Sequence, residues 1–473
     1  VRKQKKQVIL ENITVEDYAA EGKSLARVDG KVVFIEGAVP GDTVDVRLSK
    51  NKADWAEGQA VAIRSFSPDR VDPFCAHFGV CGGCQWQMLP YQKQLQYKQQ
   101  QVSDNLTRIG RIPLPEMMPI IGADETRRYR NKMEYTFATG KYIPDAEFRR
   151  MKEAGESFDG PGAAGFHVRG FFDKVVEIDT CHLQEEPTNL IRKAAAAFAI
   201  EHQLPFYNIK QHHGWLRNMF VRNSSTGGLM INIMLGYEDA DHRQQLLDRL
   251  LRDFPQITTL LYTINTKRND SLQGLEPQTH SGKGYIEEKL EDFRFIISPK
   301  SFFQTNTRQA EKLYRVTRDF AELDGTQTVY DLYCGTGSIG IFVSKQAARI
   351  IGVEVVDDAI TDAKKNAELN GITHASFFTG DVIDICDDAF FAEHGRPDVI
   401  ITDPPRAGMH EKLVKKLLEI AAPTIVYVSC NPATQARDLG LLAEKYSVEK
   451  IQPVDMFPHT LHIENVVQLK HKA

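Results

Sequence analysis

Residues 328–340, TVYDLYCGTGSIG, run an apolar strand into a turn with three glycines and then into a helix start. The chain repeats the pattern from there. RIIGVEVV reads as the next strand, and DDAITDAKKNAELNG as a helix closed by an Asn-Gly end. ASFFTGD, DVIITDPP and TIVYVSC are further strands, with helical segments between the last two and after them. Strands that alternate with helices in this way predict a doubly wound parallel sheet, since each crossover has to pack back over a sheet face. The tail, YSVEKIQPVDMFPHTLHIENVVQLK, holds two strands with no helix between them, which fits an antiparallel hairpin at one sheet edge.

Gly335, Gly337 and Gly340 match G-x-G-x-x-G immediately after a strand. Glycines let the backbone approach a ligand closely, and the helix N-terminus that opens at Ser338 favours polar or anionic groups. Glu354 ends the next strand, about 20 residues on, where a carboxylate can hold ribose hydroxyls. The match alone does not separate NAD from S-adenosylmethionine. Three features favour the latter: Asp331 inside the strand before the turn, Gly380-Asp381 at the end of the third strand, and DPPR, Asp403 to Arg406, at the end of the fourth. These resemble the successive motifs of class I methyltransferases.

SCNP ends the fifth strand, so Cys430 and Asp403 are expected on the same side of the sheet, at the ligand crevice. An amine or hydroxyl can attack a sulfonium methyl directly. A pyrimidine C5 cannot until a nucleophile has added to C6, and cysteine suits that covalent step. The C5 proton must then leave, which requires a general base. The segment 455–467, DMFPHTLHIENVV, offers His459, His462 and Glu464, and spacing does not choose among them.

Upstream, residues 8–63 hold about five short strands separated by turns such as VDGK and VPGD, the signature of a small β-barrel. Pro68 and Pro73 mark a boundary. Cys75, Cys81 and Cys84 follow with C-x5-C-x2-C spacing, and Cys181 is the best candidate for a fourth ligand. Such a set suits a [4Fe–4S] cluster or structural zinc. Residues 90–110 read as a helix. Residues 119–300 mix strands and helices without parallel order, and 140–165 reads as a long polar loop or insertion. The predicted architecture is multidomain α/β: a barrel over 1–65, a central α+β domain with the cysteine loop over 66–299, its 90–112 helix packing on the last domain, and the doubly wound domain over 300–473.

In order, FFQTN, DLYCGTGSIG, GVE, DPPR, SCNP and FPHT-x-HIENV, with YRNKMEYTF before them, resemble the RNA uracil-5-methyltransferases over nearly the whole chain. The N-terminal barrel resembles a TRAM domain, an OB-like RNA-binding module. The resemblance implies Cys430 as nucleophile and Glu464 as base. It implies Gln304, Tyr333, Glu354, Asp381 and Asp403 at the S-adenosylmethionine site, with Gly335 and Ser338 in the turn, and Asp403 also at the uracil. It implies a [4Fe–4S] cluster on Cys75, Cys81, Cys84 and Cys181 rather than zinc. It also implies large-subunit (23S) ribosomal RNA as substrate, with the uracil of the tRNA T-loop as the alternative. An amino-methyltransferase using the DPPR loop and a non-catalytic RNA-binding protein are the competing readings.

The formal net charge of −5 gives no general attraction for a polyanion, so RNA contacts must come from local clusters. Arg128, Arg130 and Lys132, with Arg127 beside them and Tyr129 and Tyr135 interleaved, form one cluster. Arg2, Lys3, Lys5 and Lys6 form another, and Phe457 and His459 are candidates to support a flipped base. No run reaches about 18 apolar residues. VRKQKKQ lacks an apolar core for a signal peptide. A cytoplasmic enzyme with neither membrane association nor an evident obligate protein partner is expected, in which seven cysteines serve chemistry rather than disulfides.

Overall fold

Neighbouring residues of the C-terminal strands are buried in pairs: Val329 and Tyr330, Ile400 and Ile401, Ile425 and Val426, Val466 and Val467. Successive strand side chains point to opposite faces, so a strand apolar at every position has to be covered on both. The computed structural model describes residues 8–19, 22–156 and 160–472 and shows that covering. The basic group at Arg2, Lys3, Lys5 and Lys6 lies outside the described residues, as do 157–159 of the polar stretch.

The C-terminal sheet has seven strands: β1 (Thr328–Leu332), β2 (Arg349–Glu354), β3 (Ala375–Thr379), β4 (Val399–Thr402), β5 (Thr424–Ser429), β6 (Tyr446–Val454) and β7 (Glu464–His471). Their order is β3-β2-β1-β4-β5-β7-β6. The first five pair in parallel, and β7 inserts antiparallel between β5 and β6. One face packs on helices Thr307–Ala321, Ser338–Val343 and Asp357–Leu369 through Leu313, Ile341 and Ala363. The other packs on Glu411–Ile420 and Pro432–Leu442 through Leu417 and Leu439.

Two pieces from outside the expected catalytic boundary join these cores. The hairpin of strands Ile286–Leu290 and Phe293–Ile297 buries Leu290, Phe293 and Phe295 with the first face. The core of the C-terminal unit therefore begins before residue 300. Helix Tyr91–Asn105, continued by a wider turn over Leu106–Gly110, buries Val102 and Leu106 with the second face.

The central sheet also has seven strands, from Gln278–Ser281 at one edge to Val175–Glu177 at the other, antiparallel except where Leu229–Leu235 runs parallel to Thr259–Ile264. The N-terminal sheet has six strands rather than five. The additional one, Asp17–Tyr18, is two residues long and leaves no periodicity to read. The polar stretch expected as a loop carries an exposed helix, Asp145–Ala154. Asp145 and Glu147 in its first turn complement the helix dipole, and Gly155 at φ 67° closes it in the left-handed conformation, which binary patterning does not register because the helix buries nothing. Among the described residues no helix is long and apolar enough to cross a membrane.

Leu106 has no exposed surface, although it lies more than 200 residues before the strands it packs with. Leu106→Ala should destabilise the C-terminal unit by about 2–5 kcal/mol through the cavity it leaves. Hydrogen exchange should then accelerate selectively in helix Pro432–Leu442, against which this turn packs.

Candidate active site

Strand register places the central pair. β5 and β7 pair with Ser429 opposite Asn465, so the next residues along, Cys430 and Glu464, stand opposite each other at the sheet end. Glu464 also faces Val454 on β6. Past Cys430 the chain turns sharply. Asn431 caps helix Pro432–Leu442 by accepting from the Ala433 N–H at 3.1 Å, and Pro432 takes the first helical position, where a missing N–H costs nothing. The Asn431 amide donates to the Arg406 carbonyl at 3.0 Å and so ties SCNP to DPPR. Gln435 accepts from the Asn465 side chain at 2.7 Å and donates to the Tyr427 carbonyl at 2.9 Å, locking β5 and β7 in register beneath the pair.

Asp403 follows β4 and completes a triangle with them. Burial pushes the Cys430 thiol up to about 11, and the Glu464 and Asp403 carboxyls push the same way, while Arg406 opposes them. Burial and Asp403 raise Glu464 well above the usual carboxylate range. Burial alone lifts Asp403 to about 7. The three groups therefore compete for protons in one desolvated pocket. The Arg406 guanidinium sits 3.3 Å from the His462 ring at its mouth.

A second crevice lies at the ends of β1 and β2. Tyr333, Gly335 and Gly337 all have positive φ (61°, 52° and 74°), which bends the chain sharply out of β1. A side chain at Gly335 would meet nothing within 4 Å, whereas one at Gly337 would press on Phe377 at 3.0 Å. Asp331 accepts from the Gly340 N–H at 2.8 Å with one oxygen, and its other oxygen is buried with no partner. Glu354 receives the Gly335 N–H at 3.3 Å and the Val356 N–H at 3.1 Å. Val355, Val356 and Phe302 are exposed apolar side chains. Ser338 bonds the Tyr314 hydroxyl at 3.0 Å. Gln304 is buried, and its carbonyl accepts from Asn131. Asp381 is exposed and caps the four-residue helix after β3. Carboxylate, open glycine and apolar wall together form a donor set that fits a nucleoside carrying a charged tail.

Cys75, Cys81, Cys84 and Cys181 line one cavity of about 410 Å³ in the central domain, with Arg130 and Lys132 on its wall. Burial raises Cys84 to about 12 and Cys181 to about 11, and the neighbouring thiols add to both shifts. Among the described residues, no three His, Cys, Asp or Glu side chains converge closely enough to hold a metal ion.

Of the expected RNA contacts, Arg128 is exposed at φ 55°, and Arg130 lies 5.7 Å from the Phe457 ring centre. His459 requires a correction. It is 7% exposed, its ring meets Gln94 at 3.1 Å, and its carbonyl takes the N–H groups of Gln85 and Trp86. It is a buried tether rather than a surface for RNA, and burial lowers its pKa to about 4. Gln94, which holds it, and Tyr91 and Lys98, which bond Asp455 in the same loop, carry no motif. Their partners lie 365, 364 and 357 residues away, beyond any local pattern.

Glu464→Gln should lower the Cys430 pKa from about 11, because the second-largest cause of its elevation is removed. The pH dependence of iodoacetamide alkylation of Cys430 measures this. An unchanged midpoint would mean that the two groups do not interact.

The model of the tRNA (uracil-5-)-methyltransferase family matches residues 391–472, that of the TRAM domain 7–61, and that of the methyltransferase small domain 317–426. The chain is 50% identical over 456 residues to an uncharacterized RNA methyltransferase of Bacteroides thetaiotaomicron, covering 96% of this chain and 99% of that one. It is 47% identical over 459 residues to another from Porphyromonas gingivalis, covering 96% and 98%. The crystal structure of the Pyrococcus abyssi tRNA (uracil-54, C5)-methyltransferase with S-adenosyl-L-homocysteine superposes with a TM-score of 0.73 at 26% identity, covering 97% of this chain and 100% of that one.

Proposed function

The chain belongs to the S-adenosylmethionine-dependent RNA uracil methyltransferases that carry a TRAM domain, and from that premise we propose that it methylates C5 of a uridine through a covalent adduct with Cys430. The observation that carries the mechanism is the register that sets Cys430 opposite Glu464, with Asp403 beside them. S-adenosylmethionine bound along Glu354 and the glycine turn supplies an electrophilic methyl group.

The ionised fraction of Asp403, a carboxyl raised by burial to about 7, takes the Cys430 proton, and the thiolate adds to C6 of the uracil. The electron pair of the 5,6 double bond moves onto the C4 carbonyl as an enolate. Asp403, protonated by that transfer, would then hydrogen-bond the uracil ring. C5 of the enolate takes the methyl group. Glu464, ionised for this step, removes the C5 proton, and the electron pair left behind reforms the double bond and expels the Cys430 thiolate. The raised pKa of Glu464 suits a base, since a weakly acidic conjugate acid is a strong proton acceptor.

Cys75, Cys81, Cys84 and Cys181 would hold a [4Fe–4S] cluster with no coordination position left for substrate, which makes its role structural. The support is one cavity lined by all four thiols. Protein purified without oxygen should contain iron and sulfide and absorb near 400 nm, and Cys84→Ser should lose both. Iron-free protein of full stability would remove the cluster from this reading.

RNA containing 5-fluorouridine should trap the enzyme, because fluorine cannot leave as a proton does. With S-adenosylmethionine, a covalent protein–RNA band should form with the native chain and vanish in Cys430→Ala. A Cys430→Ala protein that still methylates RNA would favour an amino-methyltransferase. The preferred substrate is 23S ribosomal RNA, from the family resemblance of the TRAM domain together with the cluster cysteines. A tRNA uracil is the second reading, favoured by the activity named for the Pyrococcus structure. Mapping 5-methyluridine in ribosomal and transfer RNA from a deletion strain decides between them: the modification should disappear from 23S RNA alone.

A further inference from the structure

The proposed base does not stand on a helix or in the middle of a strand. Glu464 is the first residue of β7, at the end of a loop that begins with Asp455 directly after β6. The residue before Asp455, Val454, is the cross-strand partner of Glu464. Whatever fixes Asp455 therefore fixes the backbone opposite the base.

Asp455 is held from outside the methyltransferase sheet. Lys98, on helix Tyr91–Asn105, donates to its Oδ1 at 2.6 Å, with neither side chain exposed. Tyr91, on the same helix, donates to Oδ2 at 2.7 Å. Lys98 also donates to the Phe457 carbonyl at 3.2 Å, and Gln94 holds His459 by both its backbone N–H and its ring. The three residues lie at positions i, i+3 and i+7, one face of a helix, and that face is laid along the loop. A buried ion pair is a poor way to gain stability, because both ions lose their hydration. Its value is geometric: a lysine and a carboxylate with no solvent access have one arrangement.

We propose that Tyr91, Gln94 and Lys98 are positioning residues for the base, with Lys98 as the principal one, and that they act on the proton-abstraction step through Asp455 and the loop. The inference rests on the reading of Glu464 as base. It separates two halves of the reaction. Addition of Cys430 and transfer of the methyl group depend on β5 and the cofactor crevice. Removal of the C5 proton depends on where the loop delivers Glu464. A displacement of about 1 Å in a reacting group is enough to slow a step a hundredfold. With the lock loosened, the methylated adduct should form and then wait.

The test uses the full chain, RNA from the deletion strain with ordinary uridine, and tritiated S-adenosylmethionine carrying the label in the methyl group. Label that stays with the protein band after ribonuclease digestion and denaturing electrophoresis reports the methylated adduct. Glu464→Gln should retain it and serves as the reference. Lys98→Met should retain about tenfold more label per turnover than the native chain, with S-adenosylhomocysteine affinity unchanged. Tyr91→Phe keeps the ion pair and loses two hydrogen bonds, one to Asp455 and one from the Ala123 N–H, and it should show the same effect at about threefold. If Lys98→Met does not fold, Tyr91→Phe decides alone. Folded variants that turn over more slowly without retaining label would assign the lock a general structural role and overturn the inference. A native chain that forms no Cys430-dependent adduct on 5-fluorouridine RNA would instead overturn the reading of the site, and the inference with it.

Discussion

Lys98 and Asp455 form an ion pair with no exposed surface on either side chain, and it holds the start of the loop that leads to Glu464. Burial lowers the lysine's affinity for its proton, and the aspartate offsets part of that loss. Removing either partner would leave a charge in the interior, at a cost of about 3–5 kcal/mol. The pair joins the central helix to the loop between β6 and β7, and other contacts converge on the same loop. Gln309 donates to the Asp455 carbonyl at 2.7 Å and Asn306 to that of Met456 at 2.8 Å. Tyr129 reaches the Pro458 carbonyl at 2.9 Å. The N–H groups after Cys84 take the His459 carbonyl. The cysteine loop, the arginine-rich segment and the catalytic sheet meet on nine residues of backbone.

That convergence explains how three poorly related folding units can act as one enzyme. Arg130 and Lys132 line the cysteine cavity, Arg130 also lies near Phe457, and Phe457 precedes Glu464 by seven residues. The cysteine cavity of the central domain and the strand end at Glu464 are thus linked through one short loop. On the far side, the pocket collects a thiol and two carboxyls, each raised by burial. Such a pocket favours the protonated thiol, because a thiolate beside a carboxylate in low dielectric is costly.

Much of this was legible in the sequence, for reasons that differ by residue. Strands β1 to β5 announce themselves because a parallel sheet buried on both faces needs continuous apolar runs. Gly335 and Gly337 announce the turn because positive φ selects glycine, and Tyr333 at φ 61° shows that the rule has exceptions. Cys430 became readable through its place at the end of a fifth strand. Other features were illegible. Helix Asp145–Ala154 buries nothing and so has no apolar stripe. By sequence His459 is a candidate to support a flipped base, yet its ring is turned inward. Its direction is set by Gln94, in a different unit of the chain.

By itself the sequence determined the doubly wound sheet, the crevice at its strand ends, and Cys430 and Asp403 on one side of it, because all of these follow from local periodicity, turn chemistry and strand order. Only the tertiary structure decided how tightly the base is held and from where. Lys98 finds Asp455 across 357 residues, and which charged side chain enters a desolvated interior depends on the partner that meets it there. No local pattern of apolar and polar residues encodes that meeting. It exists only once the helix, the sheet and the loop have been packed together.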